Sequence, residues 1–240
     1  MTPLHRHQTA HVSAVAWQGV CDRDWDATAR ACLTHWAANG LPLVVTRQLC
    51  DIDESSHDIA LGLPAPGKWD RRRIALQIPL REVVYFDEFA NATAVTRLLP
   101  DAAREPWRLL CTDLATLGAT ARVYGSYGWQ HISGLDHVHA GSDIDIWVAV
   151  SSAEQADAAA ALMRDFACPR LHPQLHPQLH PRLRLDGELV FNGRTAAAWG
   201  EWQAWRAGRT KTLLVKTIAG ASIVRSIDAI GTLDCATLPS

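Results

Sequence analysis

The 240-residue chain predicts a mixed α/β (α+β) protein, a sheet flanked by helices. Three observations carry that expectation. Apolar or alternating runs of strand length recur at 43–46, 73–79, 122–124 and 144–150. Before, between and after them lie stretches whose apolar residues repeat at helical spacing, at 24–39, 106–117 and 152–166. Segments rich in Gly, Pro, Asp and Ser separate the two kinds. Such alternation is what a sheet covered by helices requires.

In chain order, residues 9–17 read as a strand. Asp24 to Asn39 reads as a helix with Trp25, Ala29, Cys32, Leu33 and Trp36 on one face. Gly40 ends it and Pro42 prevents a restart. Leu43 to Thr46 is a short buried strand. Residues 50–70 are polar and read as loop. Arg73 to Pro79 alternates, with Ile74, Leu76 and Ile78 inward. Residues 81–105 read as a connection. From Pro106 to Leu117, Trp107, Leu110, Cys111, Leu114 and Leu117 share a helical face, with Pro106 in the first turn.

The strand at Arg122-Val-Tyr then runs into Gly125-Ser126. After Asp145 the strand continues to Val150. Ser152 and Gln155 form a capping box that opens a helix to about Phe166. Residues 171–183 repeat Leu-His-Pro-Gln, and the recurring Pro excludes a continuous helix, so an extended linker is expected. Arg182 to Phe191 is one strand or a hairpin turning at Asp186-Gly187. Thr195 is placed to cap a helix carrying Trp199, Trp202 and Trp205, a stripe read as core. Lys211 to Lys216 alternates as a strand, and Ile223–Asp234 carries no clear chemical signal.

The bulk numbers narrow the function. Formal net charge is −2, so no global basic field attracts nucleic acid. The N-terminus lacks the apolar region of a secretory signal, and no apolar run is long enough to span a bilayer. Six cysteines show no Cys-x-x-Cys spacing, which fits reduced thiols in a cytoplasmic protein.

The chemistry concentrates between Val123 and Val150. Gly125-Ser126 follows one apolar strand, and Asp143 and Asp145 open the next. Strand side chains alternate, so the two carboxylates project to one side while Ile144 and Ile146 point into a core. Adjacent carboxylates repel and lose hydration; a hard divalent cation such as Mg²⁺ is the usual reason to tolerate them, together with substrate phosphates. The Gly-Ser turn offers backbone N–H groups and a hydroxyl to a phosphate. Arg71 and Arg73 at a strand entrance, and Lys211 and Lys216 downstream, are candidate contacts to an anionic substrate.

Gly-Ser followed by Asp-x-Asp on the next strand resembles the nucleotidyltransferase (polymerase-beta-like) superfamily. The narrower run Gly-Ser-Tyr-Gly-Trp-Gln…Ser-Gly-Leu…His-Ala-Gly-Ser-Asp-Ile-Asp-Ile resembles the phosphoribosyl-dephospho-CoA transferases of malonate decarboxylase, also called holo-acyl-carrier-protein synthases. Gly40 to Gln48, Leu61 to Pro64 and Arg71 to Pro79 extend the likeness over most of the chain, and residues 171–181 depart from it. The resemblance implies a nucleotidyltransferase mixed sheet at residues 96–240, with residues 1–95 forming a lobe over substrate or carrier. It implies transfer from 2′-(5″-triphosphoribosyl)-3′-dephospho-CoA to a serine of the apo acyl-carrier protein subunit of malonate decarboxylase, with pyrophosphate released. Asp143 and Asp145 would hold Mg²⁺, and a third carboxylate, Asp186 or Glu188, would complete the metal site or accept the serine proton. Two alternatives stay open: a nucleotidyltransferase acting on another hydroxyl, and a non-catalytic carrier-protein adaptor.

Overall fold

The computed structural model describes residues 4–48, 58–168 and 183–232. Two sheets with helices give the mixed α/β class that the alternating patterns predict. The Leu-His-Pro-Gln repeat lies outside the described residues apart from Leu183.

The first sheet is antiparallel, built from β1 (Gln8–Val12), β2 (Leu43–Val45), β3 (Asp58–Pro64), β4 (Arg73–Pro79) and β5 (Val83–Glu88), in the order β4-β3-β2-β1-β5. The alternation in β4 buries Ile74, Leu76 and Ile78 as expected. Two expectations change here. The segment after Val12 is not strand: Ser13 adopts an extended conformation and its hydroxyl accepts from the Ala16 amide, starting helix α1 (Ala14–Cys21). The 50–70 segment is not all loop. Ile59, Leu61 and Leu63 alternate into the core, and β3 pairs along its full length with β4. Helix α2 (Ala27–Ala38) is capped by Asp26 and buries Ala29, Cys32, Leu33 and Trp36 against this sheet; Trp25 precedes it.

The second sheet runs β11-β10-β9-β8-β7-β6. Its strands are β6 (Thr120–Tyr124), β7 (Ile144–Val150), β8 (Leu185–Phe191), β9 (Thr195–Ala198), β10 (Leu213–Lys216) and β11 (Ala221–Val224). Only β7 and β8 pair in parallel, linked through α5 (Ala153–Ala167). A parallel pair needs such a crossover. Ser152 caps α5 through the Gln155 amide, and Ala156, Ala159, Ala160, Met163 and Phe166 are buried as the pattern predicts. Helix α3 (Asp101–Thr116) begins earlier than Pro106, which lies inside the helix and not in its first turn. The 81–105 connection contains β5 and a 3-10 segment at Ala92–Leu98 whose Ala92 and Val95 join the second core.

One open alternative is decided and one further expectation is corrected. Asp186-Gly187 is no hairpin, since β8 is continuous. Thr195 opens β9, and helix α6 (Trp199–Arg206) starts only after it. The last segment carries α7 (Asp228–Thr232) beyond β11. Trp202 is fully buried and Trp199 and Trp205 pack beside it, so the tryptophan stripe is core.

The lobes are joined by more than the chain. Helix α4 (Gly125–Ser133), which leaves the second sheet, sends Trp129 into the first core against Phe89. The Gln48 amide donates to the Ile218 carbonyl, and Arg47 Nε donates to the Ala219 carbonyl. Among the described residues Cys21, Cys32, Cys111 and Cys168 are free thiols, with Cys32 and Cys111 buried. No described helix is long and apolar enough to cross a membrane.

Candidate active site

A cleft of about 890 Å³ opens between the two sheets. Its second-lobe wall is built on β6, β7 and β8. Asp145 stands opposite Tyr124 of β6 on one side and Asp186 of β8 on the other. Because β8 runs parallel to β7, Asp186 and Glu188 share the face that carries Asp145. Gly187 between them lets the strands close: a Cβ there would lie 2.1 Å from the Ile146 carbonyl oxygen.

Asp145 is the electrostatic centre. Burial, then the neighbouring charges of Asp186, Asp143 and Glu188, pushes its carboxyl up to about 7. Gly125 stands directly against it. With φ at +60°, Gly125 occupies the left-handed region, and a Cβ there would fall 1.8 Å from Asp145 Oδ2. The residue therefore answers to two demands, backbone conformation and close approach. The Gly-Ser pair is the start of α4 and not a free turn. No side chain caps that helix start, so its first-turn N–H groups are available to an anion.

Glu188 behaves differently from Asp145. Burial alone would raise its carboxyl, but His7 Nε2 at 3.2 Å and Lys216 Nζ at 2.8 Å outweigh that and hold it at about 2. Burial, reinforced by Glu188, Asp145 and Asp186, keeps the Tyr124 hydroxyl protonated well above its ordinary range.

The predicted site residues thus divide. Gly125, Ser126, Arg71, Arg73, Asp145 and Lys216 all line the cleft. Asp186 neighbours Asp145 in the sheet, and Glu188 is committed to Lys216 and His7. Asp143 precedes β7, does not line the cleft, and its Oδ2 accepts from Arg184 at 2.8 Å. Its charge still reaches Asp145. Lys211 is a correction: it precedes β10, is exposed and lies away from the cleft lining. Five residues of extended chain, about 16 Å, separate it from Lys216.

The sequence reading missed Arg6, His7 and Arg47, which the first lobe contributes to the same cleft. With Arg71, Arg73 and Lys216 they give the cleft five lysine or arginine side chains against one carboxylate, Asp145. Such a wall suits a polyanion. Phe89, Trp129, Leu63 and Ile74 supply apolar surface beside it. Among the described residues no three His, Cys, Asp or Glu side chains form a ready-made metal cage. The crowded carboxylates around Asp145 nevertheless fit a divalent cation, provided substrate phosphates complete its shell.

Comparison with known proteins gives the site a family. Residues 89–226 match the family model of the phosphoribosyl-dephospho-CoA transferase MdcG C-terminal domain, and residues 5–89 match that of its N-terminal domain. The chain belongs to the phosphoribosyl-dephospho-CoA transferase family. A relative of that name from Xanthomonas euvesicatoria is 32% identical over 82% of this chain and 85% of its own. Another, from Bradyrhizobium diazoefficiens, is 30% identical over 90% of this chain and 88% of its own. No solved structure matches the chain significantly. The two family domains meet at residue 89, and the cleft of this transferase-family chain is lined from both.

Proposed function

We propose that this chain transfers the phosphoribosyl-dephospho-CoA group from 2′-(5″-triphosphoribosyl)-3′-dephospho-CoA to a serine hydroxyl on the apo acyl-carrier protein subunit of malonate decarboxylase, releasing pyrophosphate. The observation that carries this reading is the cleft itself, where a single half-buried carboxylate, Asp145, faces an uncapped helix start inside an otherwise cationic wall. Family membership supports the donor.

Arg6, Arg47, Arg71, Arg73 and Lys216 bind the phosphates of the donor and its leaving group. The amides at the start of α4 and the Ser126 hydroxyl cradle the phosphorus under attack. Gly125 sets their distance from Asp145 by leaving no side chain between them. The apolar surface of Trp129, Phe89 and Leu63 takes the uncharged parts of the donor. Mg²⁺ on Asp143 and Asp145, when bound, neutralises the charge of the triphosphate and of the departing pyrophosphate. Asp143 is free for that duty once it releases Arg184, an exposed partner held by a surface ion pair of little net energy. Cytoplasmic residence fits a donor and a carrier of this kind.

The test is incubation of the protein with the triphosphoribosyl donor, Mg²⁺ and apo carrier, followed by intact-mass analysis of the carrier. The expected result is one phosphoribosyl-dephospho-CoA increment for the wild type and essentially none for Asp145→Asn. Full modification by Asp145→Asn refutes the assignment.

A further inference from the structure

The first lobe does more than cover the cleft. His7 follows the first described residues, far in sequence from every acidic residue of the site, yet its ring reaches the second-lobe wall. Its backbone is held at φ +67°, a left-handed conformation that a non-glycine residue adopts at a cost. The ring lies flat on Tyr124, with centroids 4.1 Å apart and planes 26° from parallel. Nε2 sits 3.2 Å from Glu188 Oε2, and the other Glu188 oxygen accepts from Lys216. The imidazole is largely buried but lines the cleft together with Gly125, Ser126 and Asp145.

Phosphoryl transfer to a serine needs somewhere to put the hydroxyl proton. Glu188 is a poor acceptor, because one of its oxygens is engaged by His7 and the other by Lys216. The Tyr124 ring is covered by the imidazole stacked on it. A carboxylate that fixes one imidazole nitrogen leaves the other as the base, since the Nε2 proton is committed to Glu188 and Nδ1 carries the lone pair.

We infer that His7 is the general base of the transfer, oriented by Glu188, and that the N-terminal lobe therefore completes the catalytic apparatus. This rests on the reaction proposed above. In the step, the serine hydroxyl gives its proton to His7 Nδ1 and its oxygen forms a bond to the α-phosphorus of the donor. The bond from that phosphorus to the bridging oxygen breaks, and its electron pair leaves with pyrophosphate. Glu188 stabilises the imidazolium that results. The charged and titratable groups around the ring are Glu188 on β8, Lys216 on β10, Tyr124 on β6 and the adjacent Arg6, with Asp145 on the same wall.

The experiment compares full-length wild type, His7→Asn and Glu188→Gln in the carrier-labelling assay over a range of donor concentrations, with saturating Mg²⁺. Asn tolerates the left-handed backbone and cannot serve as a base. For His7→Asn, kcat should fall about 10²-fold or more while donor KM stays within about threefold. For Glu188→Gln, kcat should fall about tenfold or more with donor KM again within about threefold, because the imidazole loses the carboxylate that orients it. Retained kcat in His7→Asn, or a loss confined to KM, overturns the inference. If His7→Asn fails to fold by circular dichroism, Glu188→Gln decides, and an unchanged kcat is the refutation. An inactive wild type overturns the reaction itself, whereas an active wild type with an indifferent His7 overturns only the role of the histidine.

Discussion

Gly125→Ala is the most economical test of the cleft, because one methyl group separates two kinds of damage. The first is local strain. An L residue at φ +60° carries about 1–2 kcal/mol of penalty. In a chain of this length that lowers the melting temperature by roughly 2–8 °C. The second is displacement. The new Cβ would lie 1.8 Å from Asp145 Oδ2, so the carboxylate or the start of α4 must retreat by about 1.5 Å to reach ordinary contact. A misplacement of that size in a reacting constellation costs about 10²-fold or more in turnover. Gly208→Ala isolates the first effect. Its φ is +69°, nothing lies within 4 Å of a built Cβ, and it follows α6, away from the cleft lining. Thermal unfolding and the carrier-labelling rate should be measured on both variants. The expected pattern is similar loss of stability in both and loss of turnover in Gly125→Ala alone. Equal turnover in the two would show that contact between Gly125 and Asp145 has no part in the chemistry.

Arg73→Ala removes one of the cleft cations, and a charge-assisted hydrogen bond to phosphate is worth roughly 1.5–3 kcal/mol. Donor KM should therefore rise at least about tenfold with kcat little changed, and the effect should shrink as salt is added; an unaltered KM excludes Arg73 from donor binding. His137 supplies the pH prediction. Burial depresses its imidazole to about 4, against the opposing pull of Asp136, and its Nε2 has no hydrogen-bond partner among the described residues. An unfolded histidine titrates near 6.5, so between those values the unfolded chain binds the extra proton. Stability is unaffected above pH 7 and falls as pH drops from about 6.5 toward 4. The loss is roughly 1–2 kcal/mol by pH 5. Urea unfolding of wild type and His137→Phe at pH 7.5 and 5 measures it, and the two proteins losing stability equally on acidification would refute the reasoning.

What the sequence made legible was local. Gly125-Ser126 and Asp145 could be read because a strand, a helix start and an alternating strand each declare themselves within a few residues. Ile74, Leu76 and Ile78 were legible for the same reason. Strand β3 was not, because the polar run before Ile59 outweighs its short alternation. The helical start after Ser13 was also hidden, since the apolar residues of α1 fit a strand as well. Pro106 reads as a helix start because its missing N–H is harmless there, yet α3 accommodates it further in. Lys211 and Lys216 look equivalent along the chain. Only the pairing of β10 shows that one of them meets Glu188 and the other does not.

The division of labour among the carboxylates illustrates why spacing alone is insufficient. Asp186 and Glu188 are indistinguishable as candidates from their positions, since both occupy the same face of β8. Their environments separate them. Asp186 stands beside Asp145, and its charge adds to the repulsion that raises Asp145. Glu188, two residues on, meets Lys216 from within its own sheet and His7 from the other lobe, and the three together are close to neutral when His7 is uncharged. A cation recruited to this wall is therefore drawn to the Asp145 end, where negative charge is uncompensated, and not to the Glu188 end. Docking of the N-terminal lobe adds to that arrangement, because His7 reaches Glu188 across the lobe boundary. Separating the lobes would strip Glu188 of one partner and remove Arg6 and Arg47 from the phosphate wall in the same motion. The two family domains consequently make one site, and neither sheet alone carries its chemistry.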